Sequence, residues 1–309
     1  MSSTHSTHAP LTRYHLQLVG MAVLWGASWA WARYIVQSMP PLTGGALRFL
    51  IASLTLLLWM FLTEGPGPLL RLRARQWLGL TAASAFGVFG YASFFMLALQ
   101  YVPASKASTV VALNPVLPLV LGAFFFQEKL NRGIVAGMAL AIIGALTAIA
   151  RGNPLAILTG GVGTGEYLLL ATVLCWTGYT MIGRVVLQGI SPLVTTLGTA
   201  IVGTLMLTIT ASISEGPGNW ATALNAPAPV WFSLIGLAVG ATSVAYLWYF
   251  AGIQHLGVGT AASYMVLVPI FGILISTLWL GEDMHPSLLI GAALVVGGMW
   301  QMNRARRQG

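Results

Sequence analysis

Nine short breaks divide this chain into ten long runs that carry almost no charge, and that pattern decides what it can fold into. The breaks read "QSMPP", "TEGPGPLLRLRAR", "QYVPA", "FQEKLN", "RGNP" with the following "GGVGTGE", "QGISP", "SEGPGNWATALNAPAP", "QHLGVG" and "GEDMHP". The runs between them cover residues 14–37, 41–63, 76–99, 104–126, 131–150, 166–188, 191–213, 228–253, 258–280 and 286–303. A helix crosses the hydrocarbon core of a bilayer with about 20 apolar residues. Only 6% of the chain is charged, where a soluble domain carries roughly 25%. The expected class is therefore an all-α integral membrane protein with ten transmembrane helices.

The basic residues set the orientation. With the N-terminus in the cytoplasm, Arg13, Arg71, Arg73, Arg75, Lys129, Arg132, Arg184, Arg304, Arg306 and Arg307 all face inside. Lys106 and Arg151 then sit at outer ends, and Arg33 and Arg48 lie within spans. Positive charge collects on the cytoplasmic side, so both termini are expected there, in an inner cell membrane. The net charge of +8 is thus a topology signal, and no nucleic acid partner is expected. The first apolar run is too long for the core of a cleaved leader and reads as a retained span. Cys175 is the only cysteine, which rules out an intramolecular disulfide.

The chain repeats itself. "LQYVPASKASTVVALNPVLPLVLGAFFFQEKLNRGIVAGMALAIIG" lies on "IQHLGVGTAASYMVLVPIFGILISTLWLGEDMHPSLLIGAALVVGG" without a gap. Pro115 meets Pro269, Glu128 meets Glu282 and Gly137 meets Gly291. Earlier spans match at a slightly different offset, where Trp25 meets Trp176, Arg33 meets Arg184 and Pro41 meets Pro192. Five spans per half is an odd number, so the second half enters the membrane in the opposite sense. Inverted repeats of this kind are a hallmark of secondary transporters, whose sites lie at mid-membrane between the repeats. The expected organisation is a polar cytoplasmic tail (1–13), a first five-helix repeat (14–150), an external linker (151–165), a second repeat (166–303) and a basic cytoplasmic tail (304–309), with the two repeats around a central cavity.

"PPLTGGALRFLIASLTLLL" resembles the second-span pattern of EamA-type transporters of the drug/metabolite transporter superfamily. "LNPVLPLVLGAFFFQEKLN" and "LVPIFGILISTLWLGEDMH" both resemble the family's P-x(12)-E signature. The resemblance runs from about Leu18 to Trp300. It implies ten helices, termini inside and export of small metabolites. Within the family the chain looks most like the bacterial aromatic amino-acid exporters, while multidrug, cationic-compound and nucleotide-sugar carriers share the architecture.

Candidate substrate-binding residues are the polar and aromatic side chains at mid-span that share a helix face. Trp25, Ser28 and Trp29 form such a face in the first span, and Trp176, Tyr179 and Thr180 form the equivalent face in the sixth. Trp and Tyr normally gather at membrane interfaces, so their depth here points to a pathway. The bland alternative is packing or lipid contact. Tyr91 shares a face with Gly87 and Gly90, and Tyr246 shares one with Thr242 and Tyr249. Tyr264 accompanies Thr260 and Ser263 in the ninth span, and Asn114 is the strongest single polar candidate, since a helix cannot satisfy its whole amide. The hydroxyls of Ser105, Ser108 and Thr109 are read as one wet face, with bonding to their own helix carbonyls as the alternative. Pro115 and Pro269 read as a repeated hinge.

Two charges stay open. Arg48 could hold a substrate carboxylate, or could snorkel or cap a helix; its place in the "LRF" pattern favours the structural role. Lys106 is either an anchor or an attractor of anions at the mouth. Every acidic residue lies at a span end or in a loop, which leaves no carboxylate relay for proton coupling and suggests a facilitator. Glu128 and Glu282 are expected to satisfy backbone donors where the next helix starts. Gly133, Gly137, Ala141 and Gly144, with Ser287 and Gly291 in the tenth span, read as small-residue packing stripes in scaffold helices.

No metal site, cofactor or catalytic residue is expected. There is no H-E-x-x-H, no G-x-S-x-G and no Cys/His cluster for a membrane enzyme. Nothing resembles a selectivity filter or a ring of like charges for a channel. The expected partners are a small-molecule substrate and the lipid bilayer, with the protein a monomer or weak dimer.

Overall fold

The computed structural model describes residues 11–127, 130–150, 162–186 and 188–308. Glu128, Lys129, Arg151, most of the 151–165 linker and the first ten residues of the polar tail lie outside them. The fold is built on ten long helices among the described residues, with no strand. They are α1 (Thr12–Val36), α2 (Pro41–Thr63), α3 (Ala74–Tyr101), α4 (Ala104–Phe126), α5 (Arg132–Ile149), α6 (Thr164–Val186), α7 (Pro192–Ser214), α8 (Ala228–Leu256), α9 (Gly259–Leu280) and α10 (Pro286–Gln308). Two short helices, Gly67–Leu70 and Gly218–Leu224, lie in connections.

Eight of these helices, α2 to α9, are long and apolar enough to cross a membrane. The fold is that of an all-helical integral membrane protein. α1 and α10 have the length but carry polar ends, "TRYHLQ" at the start of one and "NRARRQ" at the finish of the other. The sequence reading ended the last span at residue 303 and left a basic tail. The helix instead continues through Gln308, and the Arg304 guanidinium lies over the Trp300 ring one turn back, 5.4 Å from its centre.

The two ends of the bundle are built differently. At the end where α1 finishes, here called distal, the N-caps of α2 and α4 are Pro40 and Pro103, which offer no side-chain acceptor to the first helical N–H groups. Carboxylates from far along the chain supply it. Leu42 N, Thr43 N and Thr43 Oγ1 donate to Glu215 at 2.7–2.8 Å. Ala104 N and Ser105 N donate to Glu282 at 2.7 and 2.9 Å. Glu282 therefore serves the start of α4, a tertiary partner, and not the helix that follows it as the sequence suggested. Lys106 pairs with Glu166, and Arg33 donates to the Leu99 carbonyl, at the same end. At the proximal end, where α1 begins, caps are local: Asn131 accepts from Ile134 N at 2.9 Å, and Ser191 from Val194 N at 3.3 Å.

α5 and α10 make the closest helix pair. Methylene-free contacts carry it, as the small-residue stripes led one to expect. A Cβ on Gly298 would fall 2.5 Å from the Gly137 carbonyl oxygen, and one on Gly144 would fall 2.6 Å from that of Gly291. Elsewhere α1 packs against α8 and α9, α2 against α7, and α3 against α6. The largest core cluster, which includes Ile35, Leu47, Phe95, Leu99, Leu169 and Leu234, joins the distal halves of these helices.

The α5–α10 contact yields a stability test. Gly298→Ala should lower the unfolding midpoint of the protein in detergent, with a loss of about 1–3 kcal/mol from overpacking against a backbone atom that cannot yield. Gly297→Ala is the control, because its Cβ would meet only Leu140 at an ordinary 3.5 Å. Equal midpoints for the two variants would contradict the packing described.

Candidate functional site

The chain surrounds a central cavity of about 150 Å³. Its walls come from α1, α2, α3, α4, α6, α7, α8, α9 and α10, and departures from regular helix shape four of these walls. α3 contains a π-helical stretch, Ala85–Gly90, and α8 contains another, Gly236–Val244, about 151 residues later. Such wide turns are common at functional sites. In α8 the wide turn lets Thr242 Oγ1 bond the Leu237 carbonyl, five residues back, at 2.9 Å. It also leaves the Ala241 carbonyl to accept from Trp25 Nε1 at 2.9 Å. α4 tightens at Ala112–Pro115, where Asn114 N bonds Val111 O at 2.9 Å. α9 does the same before Pro269, where Val268 N bonds Met265 O at 3.1 Å. Both prolines line the cavity.

Aromatic rings form a continuous wall. Trp29 meets Phe95 edge-on at 4.9 Å between centres, Phe95 stacks on Tyr91 at 6.0 Å, Tyr91 meets Trp176 at 5.7 Å, and Trp176 meets Tyr179 at 5.7 Å. Trp25 and Tyr246 meet edge-on at 5.3 Å between centres. Gly87 makes room for this wall: a Cβ there would fall 2.3 Å from the Tyr179 ring. Trp29 and Phe95 are 5% and 2% exposed and belong to the distal core, so the cavity floor is the sealed end. On the other side the lining continues to Thr196, Met265 and Met299.

Among the described residues, Arg48 is the only charged side chain in the lining. It is 9% exposed. Its Nε and Nη2 donate to Thr242 Oγ1 at 3.2 and 3.1 Å, and its guanidinium lies 4.8 Å from the Phe49 ring centre and 5.6 Å from that of Phe95. Its Nη1 is buried with no protein partner, and so is Asn114 Oδ1. The Ser28 hydroxyl donates to Trp25 O at 2.6 Å.

Trp25, Ser28, Trp29, Tyr91, Asn114, Trp176, Tyr179 and Tyr246 are thus brought together, and Arg48 with them. Tyr264 is not. It lies beyond the tightened turn at Met265–Val266, and its hydroxyl bonds His15 Nδ1 at 2.8 Å. Lys106 is held away from the cavity by Glu166. Ser105, Ser108 and Thr109 do not form one wet face. Ser108 and Thr109 both donate to the Ser105 carbonyl, at 2.9 and 3.0 Å, and only Ser108 reaches the cavity. Gly90 packs on Cys175 and leaves the lining to Gly87. Phe49 and Phe95, which flank Arg48, escaped the sequence reading. Phe95 follows Tyr91 by one turn, so the same face rule could have found it. Nothing in the sequence marks the π-helical turns.

The sequence profile of the EamA-like transporter family matches residues 12–150 and 163–304. Among curated proteins, the chain is 27% identical over 286 residues to the uncharacterized transporter YyaM of Bacillus subtilis, covering 92% of each. It is 28% identical over 288 residues to a probable amino-acid metabolite efflux pump of Salmonella typhimurium, covering 91% of each. A probable terminal-alkyne amino-acid exporter of Streptantibioticus cattleyicolor is 27% identical over 259 residues, covering 83% of this chain and 82% of that one. A protein of known crystal structure superposes with a TM-score of 0.65 at 23% identity, over 95% of this chain and 98% of its own, and shows the same fold. With both halves matched by one profile and a membrane bundle around a central cavity, the chain belongs to the EamA-like transporter family.

Proposed function

We propose that this transporter exports small metabolites, amino acids of the aromatic or neutral type, by alternating access through the central cavity. The observation that carries the reading is the cavity itself: a continuous aromatic wall with one buried cation and no carboxylate among its lining residues. Rings of this kind hold planar side chains by stacking. A cationic drug would meet the Arg48 charge in a medium of low dielectric, where like charges repel strongly. A cavity of about 150 Å³ is the size that takes a benzene-sized ring. That is the scale of an aromatic side chain and far below a nucleotide sugar. The names of two relatives, both amino-acid exporters or efflux pumps, support the same class.

The architecture proposed is ten spans in two inverted five-helix repeats. The contacts of Gly137 with Gly298 and of Gly291 with Gly144 exchange under the 154-residue offset of the repeat, which supports a two-fold relation between the halves. The π-helical turns of α3 and α8 fall at equivalent places. In this conformer the distal end is the closed gate, and the two bundles rock to close the proximal one. Without a carboxylate in the lining, transport runs as facilitated export down the substrate gradient. Both termini face the cytoplasm of a cell with the protein in its inner membrane, as the basic loops indicate.

In proteoliposomes, the wild-type protein should take up L-phenylalanine with saturation. Trp176→Ala and Tyr91→Ala should each cut kcat/KM by roughly tenfold or more, about 1.4 kcal/mol, from loss of ring contacts. Unchanged kinetics in both variants would sink the site assignment. Orientation is read with a membrane-impermeant maleimide in a Cys175→Ser background. Gly67→Cys should react only from the cytoplasmic side, and reaction from outside would invert the topology.

A further inference from the structure

We infer that Arg48 Nη1 and Asn114 Oδ1 are the two poles of a zwitterion subsite, the first for a substrate carboxylate and the second for an ammonium group on the same carbon. The inference rests on the amino-acid reading above and assigns Arg48 a binding role in place of the structural one its sequence context favoured.

The guanidinium is unusually incomplete for a structural arginine. It carries five N–H donors. Two of its nitrogens share one neutral hydroxyl, that of Thr242, at 3.2 and 3.1 Å. Among the described residues no carboxylate faces it. Phe49 and Phe95 flank its plane and fix its direction, but cannot neutralise it. A buried cation without an anion is costly, and a planar donor fork is the geometry that takes a carboxylate in two bonds. Nη1 is buried and unpartnered, and Arg48 is a cavity-lining residue, so the anion is assigned to the cavity beside it.

Asn114 presents the opposite polarity. Its side chain lies beside the Tyr91 hydroxyl, which is itself within electrostatic range of Arg48. Its Oδ1 has no donor from the protein. It sits where the backbone of α4 tightens before Pro115, so its amide is carried by a turn and not by a regular helix. A buried acceptor of this kind takes an N–H donor, and an ammonium beside aromatic faces gains cation–π attraction as well.

The repeat makes the arrangement directional. The positions of Arg48 and Asn114 in the second half are Thr199 and Val268. Thr199 and Val268 also line the cavity, so the first half supplies both poles, while the second supplies a hydroxyl that bonds its own helix and an apolar side chain. A substrate would lie with its zwitterionic head on α2 and α4 and its side chain on Trp176 and Tyr179 of α6.

The test is equilibrium binding of tritiated L-phenylalanine to the purified full-length protein in detergent. Phenethylamine, which lacks the carboxylate, and phenylpropionate, which lacks the ammonium, serve as competitors. Wild type should prefer phenylalanine to either analogue by about tenfold or more, because a site built for hydrogen bonds rejects a ligand that leaves them unmade. Arg48→Gln should bring the phenylalanine-to-phenethylamine ratio to about one, and Arg48→Lys, which keeps charge but not the fork, should give an intermediate ratio. Asn114→Leu should collapse the phenylalanine-to-phenylpropionate ratio while keeping discrimination by carboxylate. An Arg48→Gln protein that keeps the wild-type ratio overturns the assignment and leaves the amino-acid reading standing. So does an Arg48→Lys protein, folded by size exclusion, that weakens all three ligands equally. A wild type that binds phenylalanine no better than the analogues, or not at all, overturns the amino-acid reading and the subsite together.

Discussion

In a hydrocarbon medium no water is available to satisfy a polar group, and every other feature of this structure follows from how the chain meets that condition. Backbone groups are satisfied within helices, so the fold is built of helices, with no strand among the described residues. Side-chain hydroxyls bond their own helix, as Thr172, Thr177, Thr180 and Thr204 do with carbonyls four residues back. At several irregular or poorly capped places a distant partner takes up the slack. The wide turn of α8 frees a carbonyl that Trp25 occupies, and the proline-capped starts of α2 and α4 receive carboxylates from the other half of the chain. Against that accounting, the buried atoms that remain unpaired in the cavity wall are informative. Arg48 Nη1 and Asn114 Oδ1 are a donor and an acceptor held open beside an aromatic surface.

The same accounting explains why two related halves do not make a symmetric machine. Pro40 of the first half is matched by Ser191 in the second, and Glu64 by Glu215. Ser191 caps its own helix, while Pro40 cannot and must import Glu215. Glu64 is exposed and makes no side-chain hydrogen bond with the described residues. Charge-assisted bonds to helix N-termini shielded from water contribute about 1.5–3 kcal/mol each. One set of substitutions thus ties the distal start of α2 to the other half through a carboxylate, while the proximal starts of α5 and α7 are capped by Asn131 and Ser191 of their own chain segments. The cavity lining follows the same division, closed by Trp29 and Phe95 on the distal side and extending to Met265 and Met299 on the other.

Much of this was legible in the sequence because it depends on local composition. The limits expected for the second and fourth spans, 41–63 and 104–126, coincide with α2 and α4. The Gly137 and Gly144 stripe was readable because close helix approach demands the absence of side chains. Eight of nine proposed binding residues face the cavity, since mid-span aromatics on one helical face are a strong pattern. The failures have physical causes. Tyr264 was counted by helical period, but the turn at Met265–Val266 breaks that period and delivers its hydroxyl to His15. Glu282 was read as a local cap, and a tertiary partner cannot be seen from spacing. The surroundings of Arg48, a hydroxyl from α8, the Phe95 ring from α3 and the ring of its own neighbour Phe49, are assembled across helices and cannot be seen from spacing.

In the proposed carrier an amino acid crosses by alternate exposure of one polar-headed, aromatic-walled cavity, without a carboxylate proton relay. Counterflow in proteoliposomes tests this most directly. Vesicles preloaded with unlabelled L-phenylalanine should accumulate the labelled form transiently, at a saturating rate, and equally well with and without a pH gradient. Flux that rises linearly with concentration and ignores internal phenylalanine would contradict a carrier, and accumulation that vanishes when the pH gradient is dissipated would contradict a cavity that works without a titrating acid.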